Sequence, residues 1–275
     1  MFELAPGQDI RSLDITIQQQ RAAFNQHAIS AIAARDSYLK SVEGIERVFR
    51  TALLDADWLD QLQTPRYWAI YDMTEATARP FPLVEAEINR LDRWLAAFQR
   101  ELARVMAEDG DCDPSKVRLV LDTSAVVRHH SFSDVCWPDY LSGRPVRLVI
   151  PILVVRQLDD LKDSGKAPKA RSRLKKIRET LLGSGRGPAP LPQPNVTLEL
   201  LMDPPAHSRL GNADEEIIRR TQYLQGRPGG PVQLVTGDYT MEFMAEADGV
   251  PVLFLPDELR SGGEKAERER DDPAE

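Results

Sequence analysis

The strongest constraint on this chain is a change of hydrophobic period near Pro114. Beyond it lie five short apolar runs rich in β-branched residues, at 117–121, 146–150, 196–201, 232–235 and 250–254. Helical or loop-like segments separate them. Short continuous runs of this kind suit strands buried on both faces, and their alternation with helices predicts an α/β domain with a central, mostly parallel sheet. The preceding hundred or so residues read as helix. Residues 10–54 are rich in Ala, Gln, Arg and Leu and contain no proline. Ile88, Leu91, Leu95, Phe98, Leu102 and Val105 follow at intervals of 3, 4, 3, 4 and 3, an apolar seam opposite a polar face of Glu87, Arg90, Arg93, Arg100 and Arg104. Packing inside an antiparallel bundle accounts for a seam of this length; a dimerising coiled coil is the alternative. Trp58, Tyr67, Trp68, Tyr71 and Phe81 form an aromatic knot between the helices.

The expected organisation is an all-α N-terminal region over 1–113, an α/β domain over 116–260 and a disordered acidic tail over 261–275. The acidic segment 108–114 reads as a linker turn, because an EF-hand would need ligands through its twelfth position. Residues 183–194 and 226–231 read as loops from their Gly and Pro content. The net charge of −8 is uneven: −7 over 1–115, +2 over 116–260 and −3 over the tail. That balance disfavours nonspecific coating of nucleic acid while leaving room for a local basic patch. No apolar stretch is long enough to span a membrane, and no basic-then-apolar leader opens the chain, so a soluble cytoplasmic protein is expected. Cys112 and Cys136 make neither a disulfide framework nor a structural zinc site, and His129 and His130 read as loop histidines.

Chemistry in open α/β sheets gathers at the carboxyl ends of the strands. Asp122 directly follows the first run, and Asp238 follows the fourth in Val235-Thr236-Gly237-Asp238. Asp214 opens a helix in Asn212-Ala213-Asp214-Glu215-Glu216. Each alone is compatible with a helix cap or a dipole-facing carboxylate. Three acids brought together would repel one another unless a cation neutralised them, and hard oxygen ligands select Mg²⁺ or Mn²⁺.

With the text around them, these segments resemble the PIN-domain nucleases over roughly 117–256. Leu119-Val120-Leu121-Asp122-Thr123-Ser124 is similar to the family's opening strand and its metal-ligating Asp. Residues 149–162 resemble its second motif, Asp214 with Ile217 its third, and Thr236-Gly237-Asp238 its fourth. The resemblance implies a metal-dependent nuclease, RNA being the commoner substrate, with Asp122, Asp214 and Asp238 as catalytic metal ligands. One position departs: Gln157 stands where the family usually has Glu, keeping an acceptor oxygen but not the charge. Asp160, nearly one turn on, is a candidate stand-in, and Asp159 is its neighbour. Thr123, Ser124 and Thr236 are small hydroxyl residues placed to orient a water or a carboxylate, or simply to form turns.

The stretch 162–178 holds eight Lys and Arg against one Asp. Lys169, Arg171, Lys175 and Arg178 are candidates for phosphate contact, expected to project outward while Leu174, Ile177 and Leu181 face the core. No aromatic residue interleaves them, so base stacking is not indicated there. The expected partner is single-stranded RNA, with no membrane; the N-terminal helices offer a surface for a protein partner or a second copy. Two rivals stand beside the nuclease. One is a PIN-like module that binds nucleic acid or protein without cutting, favoured by Gln157. The other is a phosphotransferase or phosphatase of the haloacid-dehalogenase type with Asp122 as nucleophile, disfavoured by Ser124 where such enzymes carry a second Asp.

Overall fold

A computed structural model describes residues 4–24, 31–54, 56–73, 81–108, 113–162, 167–182, 187–203 and 207–259. The chain divides into two compact units, one of residues 1–110 with 226–228, the other of 111–225 with 229–275. The tail expected to be disordered lies outside the described residues, as do 109–112 of the acidic turn and 183–186 of the expected loop. No described helix is long and apolar enough to cross a membrane.

The first unit is helical: α1 (Ile10–Phe24), α2 (Ala31–Ala52), α3 (Leu59–Leu62), α4 (Pro65–Tyr71) and α5 (Phe81–Glu108). The seam on α5 faces a shared core. Leu91, Leu95 and Leu102 are buried with Ile17 of α1 and Val42 and Phe49 of α2. Pro65 at the first helical position and Thr64 before it, accepting from Tyr67 N at 3.2 Å, set the start of α4. The side chain of Phe81 lies outside the described residues, and the other members of the aromatic knot fall into two groups. Tyr67, Trp68 and Tyr71 pack on one another, while Trp58 meets Phe49 edge-on at 5.5 Å. Glu87 corrects the expected polar face, because it is fully buried. Its carboxylate accepts from Thr64 Oγ1 at 2.9 Å and Arg90 Nε at 2.7 Å, which offsets the cost of leaving water.

The second unit carries the sheet: β1 (Val117–Leu121), β2 (Val146–Pro151), β3 (Ala189–Pro190), β4 (Val196–Leu201), β5 (Val232–Thr236) and β6 (Val252–Phe254). The strand order is β3-β4-β2-β1-β5-β6, all neighbours parallel except the β3–β4 pair. Strands β1 and β2 are buried along their whole length, which is why their sequences are continuously apolar. Two details differ from the sequence reading. The last strand starts at Val252, since Pro251 lacks the N–H that an earlier start would need. β3 lies inside a stretch read as loop, where two residues pair at an edge that tolerates a proline.

Helices fill the connections: α6 (Thr123–Arg128), α7 (Ile152–Leu161), α8 (Ala167–Leu181), α9 (Ala213–Gln225) and α10 (Tyr239–Ala247). From β1 the chain moves outward through β2 to β4, then returns to the other side of β1 as β5. The topological switch therefore falls between β1 and β5, and a crevice opens beyond the carboxyl ends of those two strands.

Candidate active site

Strand pairing brings the first and last motifs together. Leu121 is in register with Val235, so Asp122 and Thr236 emerge side by side, and Asp122 N donates to Val235 O at 3.1 Å. Asp122 is also the N-cap of α6, its Oδ1 accepting from Ala125 N at 2.6 Å. Thr236 Oγ1 donates to Asp122 Oδ2 at 2.6 Å, and Ser124 Oγ lies 2.9 Å from both carboxylate oxygens. The helix-cap role and the placement of a carboxylate at a crevice thus coincide in one residue. Thr236 also accepts from Asp238 N at 3.0 Å, tying the fourth motif to the same cage.

Asp238 caps α10, accepting from Thr240 N at 2.9 Å. Asp214 sits in the first turn of α9 but does not cap it: Asn212 Oδ1 accepts from Asp214 N at 2.9 Å, which leaves the Asp214 carboxylate out of the cap. All three aspartates line one cleft of about 210 Å³ with Thr123, Ser124 and Arg128, over an apolar floor that includes Val127, Ile217 and Met241.

The electrostatics are those of a site short of positive charge. Burial pushes the Asp122 carboxyl up to about 6, the negative charge of Asp214 adding to it, against hydrogen bonds from Thr236, Ala125 and Ser124 that pull it down. Asp214 is exposed, yet partial burial and then the charge of Asp238 raise its carboxyl as well. A divalent cation with a preference for hard oxygen donors, such as Mg²⁺ or Mn²⁺, fits this donor set because it would relieve that repulsion.

Gln157 on α7 is half-buried and accepts a hydrogen bond from the Thr123 hydroxyl, so it reaches the rim of the cleft through its neighbour. Asp160 is exposed and is not among the residues lining the cleft; Asp159 is exposed and pairs with Lys162 at 2.7 Å. On α8, Ala170 and Ile177 are buried, Leu174 and Leu181 are partly buried against the core, and Arg171, Lys175 and Arg178 are exposed, with Lys169 half-buried. Lys175 stands 3.8 Å from Glu179. Arg173 behaves differently from its basic neighbours. It turns inward to donate to Val126 O and His129 O, each at 3.1 Å, and binds α8 to the carbonyl end of α6.

Three features escaped the sequence reading. Arg128 is the basic side chain among the cleft-lining residues; its place one turn after Ser124 on α6 was the available signal. His129 is buried rather than a solvent-facing loop histidine, its ring filling the space over Gly237. A second group of ligand-type residues, Asp203, His207 and Glu216, has its ligand atoms all within 4.8 Å of one another. Its members already have partners. His207 Nε2 lies 2.7 Å from Glu216 Oε1, Leu210 N donates to Glu216 Oε2 at 2.9 Å, and Arg209 Nε donates to Asp203 at 2.8 Å. The buried Glu216 thereby fastens the segment before α9 to the helix whose first turn carries Asp214.

Compared with known proteins, residues 119–254 match the family model described as PIN domain. No curated protein matches the chain.

Proposed function

Because residues 119–254 belong to the PIN-domain family, whose members are generally nucleases, we propose that the chain is a divalent-metal-dependent nuclease that hydrolyses phosphodiester bonds, with single-stranded RNA as the preferred substrate. The observation that carries this reading is the convergence of Asp122, Asp214 and Asp238, from three separated segments, on one cleft at the strand switch. These three would hold Mg²⁺ or Mn²⁺. When bound, such an ion supplies water activation and neutralises charge on the phosphoryl oxygens. The chain's own groups do the rest. Thr236 and Ser124 fix the plane of the Asp122 carboxylate. Arg128 offers a guanidinium to a phosphate entering the cleft. Lys169, Arg171, Lys175 and Arg178 on α8 supply the sequence-independent attraction for the backbone.

The direct test incubates the purified chain with labelled single-stranded RNA and DNA, in Mn²⁺ and in EDTA. Cleavage in Mn²⁺ that EDTA stops is expected, with RNA cut faster. No Mn²⁺ binding in calorimetry would overturn the catalytic reading in favour of a module that binds without cutting, which the neutral Gln157 favours.

Gln157→Glu is expected to tighten Mn²⁺ binding and raise cleavage, since a fourth carboxylate adds attraction at a range where salt screens poorly. Thr123 can donate to Glu as it does to Gln. With Asp160 exposed and away from the cleft lining, Asp160→Asn in the same background should change little; a strong loss there would restore Asp160 as a ligand. Replacing Arg171, Lys175 and Arg178 together by Ala should weaken binding to all sequences alike and flatten the salt dependence by about 0.7 of a slope unit per lost single-strand phosphate contact. An unchanged slope would make α8 an ordinary solvated face.

A further inference from the structure

Directly after Asp238 the chain presents aromatic surface that neither the core nor the carboxylate cleft uses. Tyr239, the first residue of α10, is 59% exposed, and Phe243, one turn later, is 69% exposed. The helix does have an inward face, since Met241 and Ala245 are buried. Tyr239 and Phe243 lie on the other side. The Tyr239 ring is not loose. It stacks on Phe254 of β6, with centroids 4.8 Å apart and planes inclined by 20°. Phe254 backs one face of the ring and fixes its plane, so little conformational freedom is left to lose when something flat settles beside it. α10 carries Glu242 and Glu246 and no Lys or Arg, so it does not offer itself to phosphates. What it offers is uncharged π surface.

We propose that Tyr239 and Phe243 form a stacking platform for the bases of a single-stranded nucleic acid whose backbone passes the Asp122, Asp214 and Asp238 cleft; the identity of the occupant rests on the nuclease reading above. Tyr239 follows Asp238 directly and opens the helix that Asp238 caps, so by connectivity the platform starts at one of the cleft carboxylates. Stacking on an aromatic ring tolerates every base, because each has a π face, and it selects unpaired strands, whose bases are free to unstack. The platform therefore sets affinity and strandedness and reads no sequence. The basic helix α8 lacks aromatics; the stacking surface comes instead from a different element, opening at a cleft carboxylate.

The test uses the full chain in EDTA, so that binding is read without cleavage. Two labelled strands of equal length and charge are compared, one with bases and one abasic. The parent should bind the base-bearing strand more tightly. Tyr239→Leu should weaken that binding about 5- to 100-fold and leave the abasic strand unaffected, Phe243→Leu should act in the same direction, and Tyr239→Phe should retain the parent's affinity. A 2-aminopurine strand should be quenched by the parent and not by Tyr239→Leu. Equal affinity of the parent for the two strands, or unaltered binding in both Leu variants, overturns the platform and leaves the patch as a protein-docking face. The nuclease reading is separately decided by Mn²⁺-dependent cleavage. Cleavage without base discrimination sinks the platform alone, and base discrimination without cleavage sinks the nuclease alone.

Discussion

Asp122→Asn is expected to abolish Mn²⁺ binding and cleavage while making the metal-free protein more stable at pH 8. Asp122 is 4% exposed, and its carboxyl is pushed up to about 6 from an ordinary value of 3.8, chiefly by burial. The sign follows from proton counting. Between about pH 4 and pH 6 the folded chain holds a proton on Asp122 that the unfolded chain has released, so stability is lost as pH rises through that window. Above it the ionised group costs on the order of 1–3 kcal/mol. Asparagine has no charge to desolvate, keeps the shape and still accepts from Ala125 N at the cap. The measurement is a pair of thermal melts, at pH 5 and pH 8 in EDTA, for parent and variant. The variant should gain on the parent at pH 8, by roughly 2–4 °C for each kcal/mol, and the gain should shrink at pH 5. Retained Mn²⁺ affinity would remove Asp122 from the ligand set. A gain independent of pH would remove burial of the charge as its cause.

Gly237→Ala is expected to damage stability and activity together. A Cβ at this position would overlap the His129 ring, with Nε2 only 2.8 Å away. His129 is buried, its Nδ1 lies 3.4 Å from Ser124 O, and its carbonyl accepts from Arg173, so the ring has little room to retreat. Overpacking of this kind costs about 1–3 kcal/mol. Its effect on the site is direct. Gly237 N donates to Ser124 Oγ at 3.0 Å, and its neighbours are Thr236 and Asp238. Denaturant unfolding and an Mn²⁺ cleavage assay measure the two losses. Adding His129→Ala empties the contested space, so the double variant should be less impaired than the sum of the single changes. Simple additivity, or a fully stable Gly237→Ala, would show that the ring does not hold the turn.

Much of the fold was legible because its signals are local. Continuous apolar runs mark β1 and β2, buried on both faces. The 3-4 spacing of Leu91, Leu95 and Leu102 marks the inner face of α5. The positions of Asp122 and Asp238 could be read from the strands that precede them, but the hydroxyl cage around Asp122 could not be assigned. Thr236 and Ser124 were candidates of equal standing with Thr123, which bonds Gln157 instead. The remaining surprises join distant parts of the chain. Glu87 is buried because Thr64 and Arg90 receive it. His129 is buried because Gly237 leaves room, and the Tyr239 ring has its orientation from Phe254. No periodicity encodes such meetings, since each depends on which elements the topology makes neighbours.

The pairing of β1 with β5 also sets an order of assembly. Asp122 and Thr236 are 114 residues apart in the chain, and synthesis delivers the N-terminal side first. A growing chain presents Asp122 long before β5 exists, and Asp214 shortly before it, and only β5 brings Thr236 beside Asp122. Closing so long a separation is entropically costly and comes late among folding contacts. The carboxylates of the cleft therefore come together only once β5 has paired with β1, so the geometry of the site is completed together with the sheet.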